Sequence, residues 1–310
     1  MKRALLAVAL LLPAPGLALA ETFGPLVTPA DLARDLDSVQ PIIVDIRDAG
    51  YNKGHLPTAY WAPYRLFRGP DDNPGGMVDV AELEATYEQL GLEYDLSIVL
   101  VTDGKTDTDF GAAARVYWTL KSSGFQDLTI LNGGQAAWEA AGLEVETQEN
   151  TNLPSELDIT FSDQWLAETP EIERIVDDGD SDVVLLDSRP TPFFSGREAH
   201  GSASRPGTLP GAQNVSYEEF FDGSPRISND IDVAGLKQTL GLAEGADKEI
   251  VAFCNTGHWA ATSWFALSEL GGIEDVKLYP GSMVEYSQTG RPMENQPGLV
   301  DNLLRQVFGK

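Results

Sequence analysis

The chain contains one ordered set of short motifs twice, and the two copies lie a whole domain length apart. Residues 42–47 match residues 184–189, and each copy is an apolar run that ends in Asp-x-Arg. A second pair of apolar segments, residues 98–103 and residues 249–254, also match each other. Because this repeat is far longer than the units of solenoid proteins, it predicts two copies of one globular domain.

The rest of the repeat predicts the architecture of each copy. Apolar strand-like runs alternate with helical patterns, as expected for a parallel sheet with crossover helices. We therefore predict an α/β fold of tandem duplicated domains, each a mostly parallel sheet flanked by helices. The further matches are residues 55–59 with 208–212, 124–128 with 272–276, and 131–134 with 279–282. The helical patterns lie at residues 80–90, 110–121, 231–240 and 260–270.

The segments outside the repeat are assigned from their composition. Residues 1–20 combine two early cations, a short apolar run and an Ala-Leu-Ala end, which is typical of a secretory signal peptide. We therefore expect a periplasmic or secreted protein with no membrane attachment after cleavage. The predicted domains are residues 22–148 and 159–298, with a polar linker at 149–158 and an amphipathic tail at 299–310.

Cys254 is the only cysteine, and it lies between a strand pattern and a helix pattern. The start of a helix offers unpaired N–H groups and partial positive charge, which lower the pKa of a thiol. Gly257 allows a tight turn in this loop. A single cysteine cannot form a disulfide within the chain, so an unpaired thiol in an oxidising compartment indicates a chemical use. The alternative is an inert buried cysteine.

The first copy has Asp103 at the position of Cys254, and a carboxylate cannot replace a thiolate as a soft nucleophile. We therefore predict that the first domain is inactive. Residues 103–109 could be taken for a calcium loop, but they lack the ligand spacing and the final Glu of such loops. An exposed polar turn is the favoured interpretation, and no metal is predicted. The net charge of −27 disfavours nucleic acid as a partner.

Taken in order, these motifs resemble the two-domain rhodaneses, the thiosulfate sulfurtransferases. The resemblance covers about residues 23–297 and rests on the duplication, on the Asp-Ser-Arg of residues 187–189, on the Leu-Pro-Gly-Ala of residues 209–212, and on the Cys-x-x-Gly loop of residues 254–259. It implies rhodanese-like domains, a catalytic second domain and a persulfide on Cys254. It also implies transfer of the outer sulfur of thiosulfate to cyanide or a thiol, with no cofactor.

A thiosulfate dianion needs local cations in so acidic a chain. Residues 189–205 include an insertion found only in the second half, and they hold Arg197, His200 and Arg205 with Glu198 as their one acid. We predict Arg197 as the ligand of the substrate sulfonate and Arg205 as the second choice. An exposed loop with chance basicity is the alternative.

Within the cysteine loop, a cationic His258 would favour the thiolate, whereas a neutral His258 could donate to the persulfide. Trp259 could contact substrate or only pack. Asp187 and Arg189 recur in the first half as Asp45 and Arg47, so we predict a structural ion pair near the site. The candidate substrate-binding residues of the loop are Asn255, Thr256, Gly257, His258 and Trp259.

Three other functions remain open from the residues. A 3-mercaptopyruvate sulfurtransferase is the main alternative, because Asn255 and Thr256 stand where thiosulfate-specific relatives carry basic residues, and Phe193 stands where the family carries a second substrate Arg. A non-catalytic sulfur carrier or binding module is the second. A phosphatase is disfavoured, because Ala260 stands where its loop needs an Arg to hold the phosphoryl group.

Overall fold

The computed structural model describes residues 22–241 and 248–298 of the chain. The signal peptide predicted at residues 1–20 and the tail predicted at 299–310 lie outside the described residues. Among the described residues, no helix combines the length and the apolar character that a bilayer span requires. The strands of the first half are β1 (Leu26–Val27), β2 (Ile42–Asp45), β3 (Tyr60–Trp61), β4 (Ile98–Val101) and β5 (Leu128–Leu131). Its helices are α1 (Pro29–Val39), α2 (Val80–Leu90), α3 (Asp109–Ser122) and α4 (Gly134–Ala140).

The second half repeats this arrangement with one strand fewer among the described residues. Its strands are β6 (Val183–Asp187), β7 (Gln213–Asn214), β8 (Glu249–Phe253) and β9 (Val276–Leu278). Its helices are α5 (Thr169–Asp178), α6 (Thr191–Phe194), α7 (Val233–Thr239), α8 (His258–Phe265) and α9 (Ser282–Tyr286). A π-helical turn, Ala266–Leu270, continues α8.

Each half forms its own parallel sheet, in the order β1-β5-β4-β2-β3 for the first and β7-β6-β8-β9 for the second. All strand neighbours in the two sheets pair in parallel. The central strands β4 and β8 are almost completely buried, which explains why their sequences are continuous apolar runs rather than alternating ones. The predicted duplicated α/β fold is thereby confirmed.

The predicted helices agree with the structure to within two residues at most ends. The pattern at residues 80–90 coincides with α2, whose N-cap Asp79 accepts a hydrogen bond from the Ala81 amide and whose end is set by Gly91 in the left-handed region. Residues 149–158, the predicted linker, contain no helix or strand and lie against α2. There the Ser155 amide donates to the Glu88 carbonyl, and the Leu157 amide donates to the Glu88 side chain.

The two domains are joined face to face through α3 and α8, the helices that follow the two equivalent central strands. Phe265 of α8 packs edge-on against Phe110 and Tyr117 of α3, with ring centroids 5.4 and 5.1 Å apart. Lys121 pairs with Glu269 at 2.7 Å beside this aromatic cluster. This contact places the loop at the start of α8 against the first domain, which is what builds the site.

Candidate active site

Cys254 lies in a four-residue loop between β8 and the start of α8, at the carboxyl edge of the second sheet. Gly257 ends the loop with φ at +68°, a conformation that side-chain-bearing residues rarely adopt. A methyl group on Gly257 would also lie 2.8 Å from the backbone of Pro280. The tight turn predicted for this glycine is therefore required both by its backbone and by its neighbours.

The start of α9 holds the loop in place through one buried hydroxyl. Ser282 accepts hydrogen bonds from the amides of Cys254 and Gly257, at 3.0 and 3.1 Å, and donates to the Tyr279 carbonyl at 2.7 Å. The Met283 amide donates to the Cys254 carbonyl. Sequence reasoning noticed the repeated segment 279–282 but missed the role of Ser282, because its function depends on a contact 28 residues away.

The amides of Asn255 and Thr256 are left for other partners, since neither has an acceptor among the described residues. The first N–H groups of α8 also lack intrahelical acceptors, as at any helix start. The loop after Cys254 therefore supplies several uncommitted donors. Asn255 and Thr256 are themselves buried, and the Asn255 side chain accepts from Arg189 at 3.3 Å.

Arg189 forms a buried ion pair with Asp187 at 2.6 Å, and Arg47 forms the same pair with Asp45 in the first domain. Each guanidinium also donates to a glycine carbonyl: Arg189 to that of Gly207, and Arg47 to that of Gly54. The pairs therefore brace equivalent strand ends. Only Arg189 reaches the cysteine loop, through Asn255.

Cys254 is 1% exposed and lines a cavity of about 460 Å³ between the two domains. From the second domain, the cavity is lined by the loop residues and His200. From the first domain it is lined by Tyr64, Arg65, Arg68 and a loop that includes Asp71 and Pro74. The cysteine thus faces walls that carry cations from the first half, a contribution that sequence reasoning missed.

Arg68 lines this cavity, and some of its guanidinium donors have no acceptor among the described residues. Its guanidinium lies over the Tyr64 ring at 5.1 Å and donates to the Tyr64 hydroxyl at 2.7 Å. Among the described residues it has no carboxylate partner, whereas Arg65 pairs with Asp48 at 3.6 Å in an exposed ion pair. One feature of the sequence could have pointed to Arg65 and Arg68. They are two arginines within four positions of a chain that has 48 acids and 21 lysines and arginines.

The predicted substrate ligands Arg197 and Arg205 are not among the described residues that line this cavity. Arg197 is exposed and donates to Ser195 in its own turn. Arg205 donates to the carbonyls of Ser287 and Arg291, so its guanidinium is already engaged. Domain docking, which sequence reasoning did not include, brings Arg68 to the cavity, whereas His200 is the residue of the insertion that lines it among the described residues.

His258 has partners on both ring nitrogens. Nε2 donates to the Thr108 carbonyl at 2.8 Å, so Nδ1 of the neutral ring accepts from the Tyr64 hydroxyl at 3.1 Å. Burial, with the nearby Arg68, lowers the pKa of His258 to about 4. The ring is therefore neutral at pH 7, which corrects the expectation of a cationic histidine favouring the thiolate, and neither nitrogen is left to bond a persulfide.

Trp259 packs against other aromatic rings and also lines the cavity, so contact with substrate stays a prediction. Its ring stacks on Tyr217 with centroids 5.1 Å apart and meets the edge of Phe193. Its Nε1 donates to the Thr108 hydroxyl at 2.7 Å. Phe193, at the position where the resemblance expected a second substrate arginine, thus belongs to an aromatic wall.

Comparison with known proteins agrees with this geometry. The rhodanese-like domain family matches residues 28–141 and 168–289, and the chain belongs to this family. A thiosulfate sulfurtransferase of Pseudomonas aeruginosa is 28% identical over 84% of this chain and 93% of that relative. The sulfur carrier protein TtuD of Thermus thermophilus is 26% identical over 76% of this chain and 83% of its own length.

Solved structures show the same fold. The 3-mercaptopyruvate sulfurtransferase of Leishmania major superposes with a TM-score of 0.70 at 23% identity, over 88% of this chain and 76% of that one. Family membership assigns the chain to the sulfurtransferases. The relatives carry three different functional names, so the sulfur donor has to be argued from the site of this chain.

Proposed function

We propose that this protein transfers the outer sulfur of thiosulfate to cyanide or a thiol through a persulfide on Cys254. The observation that carries the proposal is the placement of a lone thiol against a cavity whose facing wall holds the unpaired guanidinium of Arg68. A nucleophile beside a cation suits a small anionic donor, since the cation can bind the anion while the sulfur attacks it.

The first step forms one S–S bond and breaks another. The Cys254 thiolate attacks the outer sulfur of thiosulfate, and sulfite leaves with the electron pair of the old S–S bond. The product is an anionic persulfide on Cys254. The uncommitted amides of Asn255 and Thr256 are suited to hold this anion, because backbone N–H groups in a tight loop form a concave anion site.

The second step returns the enzyme to its starting state. Cyanide or an acceptor thiolate attacks the outer persulfide sulfur, and the Cys254 thiolate leaves with the bonding pair. No net oxidation or reduction of the protein occurs. In the first step Arg68 is proposed to bind the sulfonate oxygens of thiosulfate, in the role first expected for Arg197, and His200 adds a second polar group to the same cavity.

A 3-mercaptopyruvate donor is the second candidate, and one observation favours it. Asn255 and Thr256 add no cation beside Cys254, and the cavity of about 460 Å³ has room for an organic anion larger than thiosulfate. A carboxylate would bind Arg68 as readily as a sulfonate does. The sulfur carrier function of the Thermus thermophilus relative is the third candidate.

The test is intact-protein mass spectrometry after exposure to thiosulfate or to 3-mercaptopyruvate, followed by cyanide. We expect one added sulfur atom with thiosulfate, its loss as thiocyanate, and repeated turnover. Cys254→Ser, which retains the shape of the side chain, should gain no sulfur and form no thiocyanate. Loading by 3-mercaptopyruvate alone would replace the donor, loading without turnover would indicate a carrier, and no loading by either donor would overturn the proposal.

A further inference from the structure

Arg115 is a buried cation without an ion-pair partner among the described residues, and it lies at the contact between the domains. It belongs to α3 of the first domain and is 1% exposed. Nη2 donates to the Gly75 carbonyl at 3.2 Å, and the guanidinium lies 5.0 Å from the centre of the Trp118 ring. Within the part of the chain that is described, Nε and Nη1 have no hydrogen-bond partner.

Such an arrangement is costly unless something offsets it. A buried charge with unsatisfied donors loses several kcal/mol of hydration, and it is normally paired with an acid or with several acceptors. The ring of Trp118 offsets part of this cost, on the order of 1–2 kcal/mol. No carboxylate offsets the rest among the described residues, so the guanidinium needs another anion.

The position of Arg115 indicates which anion this is. A methyl group on Gly257, the last residue of the cysteine loop, would lie only 2.4 Å from Nη1 of Arg115. The guanidinium therefore touches the loop that carries Cys254. Burial and the nearby Arg68 lower the pKa of Arg115 to about 10, whereas Tyr64 and Cys254, when ionised, act in the opposite direction. Arg115 is thus a full cation at pH 7.

Electrostatic coupling between two groups is reciprocal. If an ionised Cys254 favours the charge on Arg115, then the charge on Arg115 favours an ionised Cys254 by the same free energy. The other charged or titratable groups around the cavity are of both signs and partly reached by solvent, which screens them. They are Asp48, Tyr64, Arg65, Arg68, Asp71, His200 and His258. Arg115 differs from them because water does not reach it.

We propose that Arg115 is a positioning residue, supplied by the inactive domain, which holds the Cys254 sulfur in its anionic form. Before sulfur transfer this form is the thiolate, and after it the persulfide. The persulfide half of the inference rests on the proposed function, whereas the thiolate half does not. Substrate does not need to touch Arg115, because the residue acts through the loop at Gly257.

The test measures the thiolate directly, with no sulfur donor present. The rate of alkylation of Cys254 by iodoacetamide is followed against pH for the full chain and for Arg115→Met. We expect alkylation of Cys254 on the rising part of its pH profile to be about tenfold slower in Arg115→Met, because the thiolate is the form that reacts. Arg115→Lys, which keeps the charge, should restore most of this rate.

Two comparisons separate electrostatics from structure. Arg226→Met removes an exposed guanidinium that lies against Gly133 of the first domain, the counterpart of Gly281 and not of the cysteine loop, and should leave the alkylation profile unchanged. If Arg115→Met does not fold, Arg115→Gln keeps a donor for the Gly75 carbonyl and removes only the charge. A lower melting temperature with an unchanged alkylation profile in the folded neutral variant would overturn the proposal.

The outcome is also distinct from that of the sulfur-loading experiment. If the wild-type protein gains no sulfur from any donor while Arg115→Met is alkylated more slowly than wild type, the proposed function is removed and the role of Arg115 remains. If the wild-type protein gains sulfur while Arg115→Met keeps the wild-type alkylation profile, the role of Arg115 is removed and the proposed function remains.

Discussion

The loop between β4 and α3 and the loop between β8 and α8 occupy equivalent places in two copies of one domain, but their structures have diverged. The first has seven residues, 102–108, and its Asp103 forms a largely exposed ion pair with Lys105 at 2.8 Å. The second has four residues, and its Cys254 is buried beside an interdomain cavity. The shorter loop brings the start of the helix close to the reactive side chain, where helix-end electrostatics act.

The first loop now supports the second. The Thr108 carbonyl accepts from His258, and the Thr108 hydroxyl accepts from Trp259. A position that needed no chemistry of its own could be used for hydrogen bonds across the domain contact. The first domain therefore contributes to the site through contacts that exist only when the two copies are docked.

Residues of each domain also pack over the loop of the other domain, and these covering segments present different side chains to the two loops. Over the active loop, Gly75 packs so closely that a methyl group on it would lie 2.2 Å from the Pro280 carbonyl, and the same cover carries Arg68 into the cavity. Over the inactive loop, Tyr217 donates to Asp107 at 3.4 Å. The comparison shows that the arginines of the site, Arg65 and Arg68, belong to the segment of the first domain that covers the loop and not to the loop that carries the nucleophile.

The largest expected effect is on the KM for thiosulfate, and it comes from removing the guanidinium of Arg68. Arg68→Ala should raise the KM for thiosulfate about tenfold to a hundredfold, because a charge-assisted hydrogen bond to an anion is worth roughly 1.5–3 kcal/mol. The maximal rate at saturating thiosulfate should change less. Steady-state thiocyanate formation at several thiosulfate concentrations measures both quantities.

Two further arginine variants make this result specific. Arg34→Ala removes an equally positive but exposed side chain on α1, paired with Asp31 and Asp35, and should leave the KM unchanged. Arg197→Ala separates the prediction made from the sequence from the one made from the structure. A larger rise in KM for Arg197→Ala than for Arg68→Ala would return the substrate site to the insertion in the second domain.

A smaller effect tests the support that the inactive loop gives to His258. Its pKa of about 4 lies below the ordinary value of about 6.5, so the unfolded chain binds more protons than the folded one between these pH values. The free energy of unfolding should therefore fall as the pH drops from about 6.5 to about 4, by roughly 1–3 kcal/mol for this group. His258→Asn should lack that part of the pH dependence.

Urea denaturation at pH 7 and at pH 4.5 measures this difference for both proteins. Tyr64→Phe is the matched control, because it removes the hydrogen bond to Nδ1 of His258 without removing the titrating ring. It should lower stability at both pH values and keep most of the pH dependence. An identical loss of stability in wild type and His258→Asn would show that the neutral ring is not stabilised by its burial.

Local patterns in the sequence predicted the duplicated fold and the loop of Cys254, because strands, helices and the turn at Gly257 depend on neighbouring residues. The role of Ser282 could not be found in this way, since it acts across 28 residues. Arg68 and Arg115 were missed for a stronger reason. Both reach the cysteine loop from the other domain, and the docking of α3 on α8 is encoded in buried surfaces that no short motif reveals.

The smallest expected effect comes from placing a thiol in the inactive loop. Asp103→Cys should gain no sulfur from thiosulfate at the new thiol, and in a Cys254→Ser background it should not restore thiocyanate formation. The loop 102–108 is three residues longer than the loop of Cys254, and the Asp103 side chain lies one-third exposed beside Lys105 rather than in the cavity that Arg68 lines. Stability should change by about 1 kcal/mol or less, because the substitution breaks only an exposed ion pair.

Mass spectrometry of the double variant checks this last prediction, and alkylation by iodoacetamide shows whether the introduced thiol is accessible. An accessible thiol that takes up no sulfur places the difference between the two copies in the surroundings of the loop, since both loops would then carry the same nucleophile. Sulfur on the introduced thiol would mean that the presence of a cysteine in the loop, and not the covering segment and its cations, decides which copy is active.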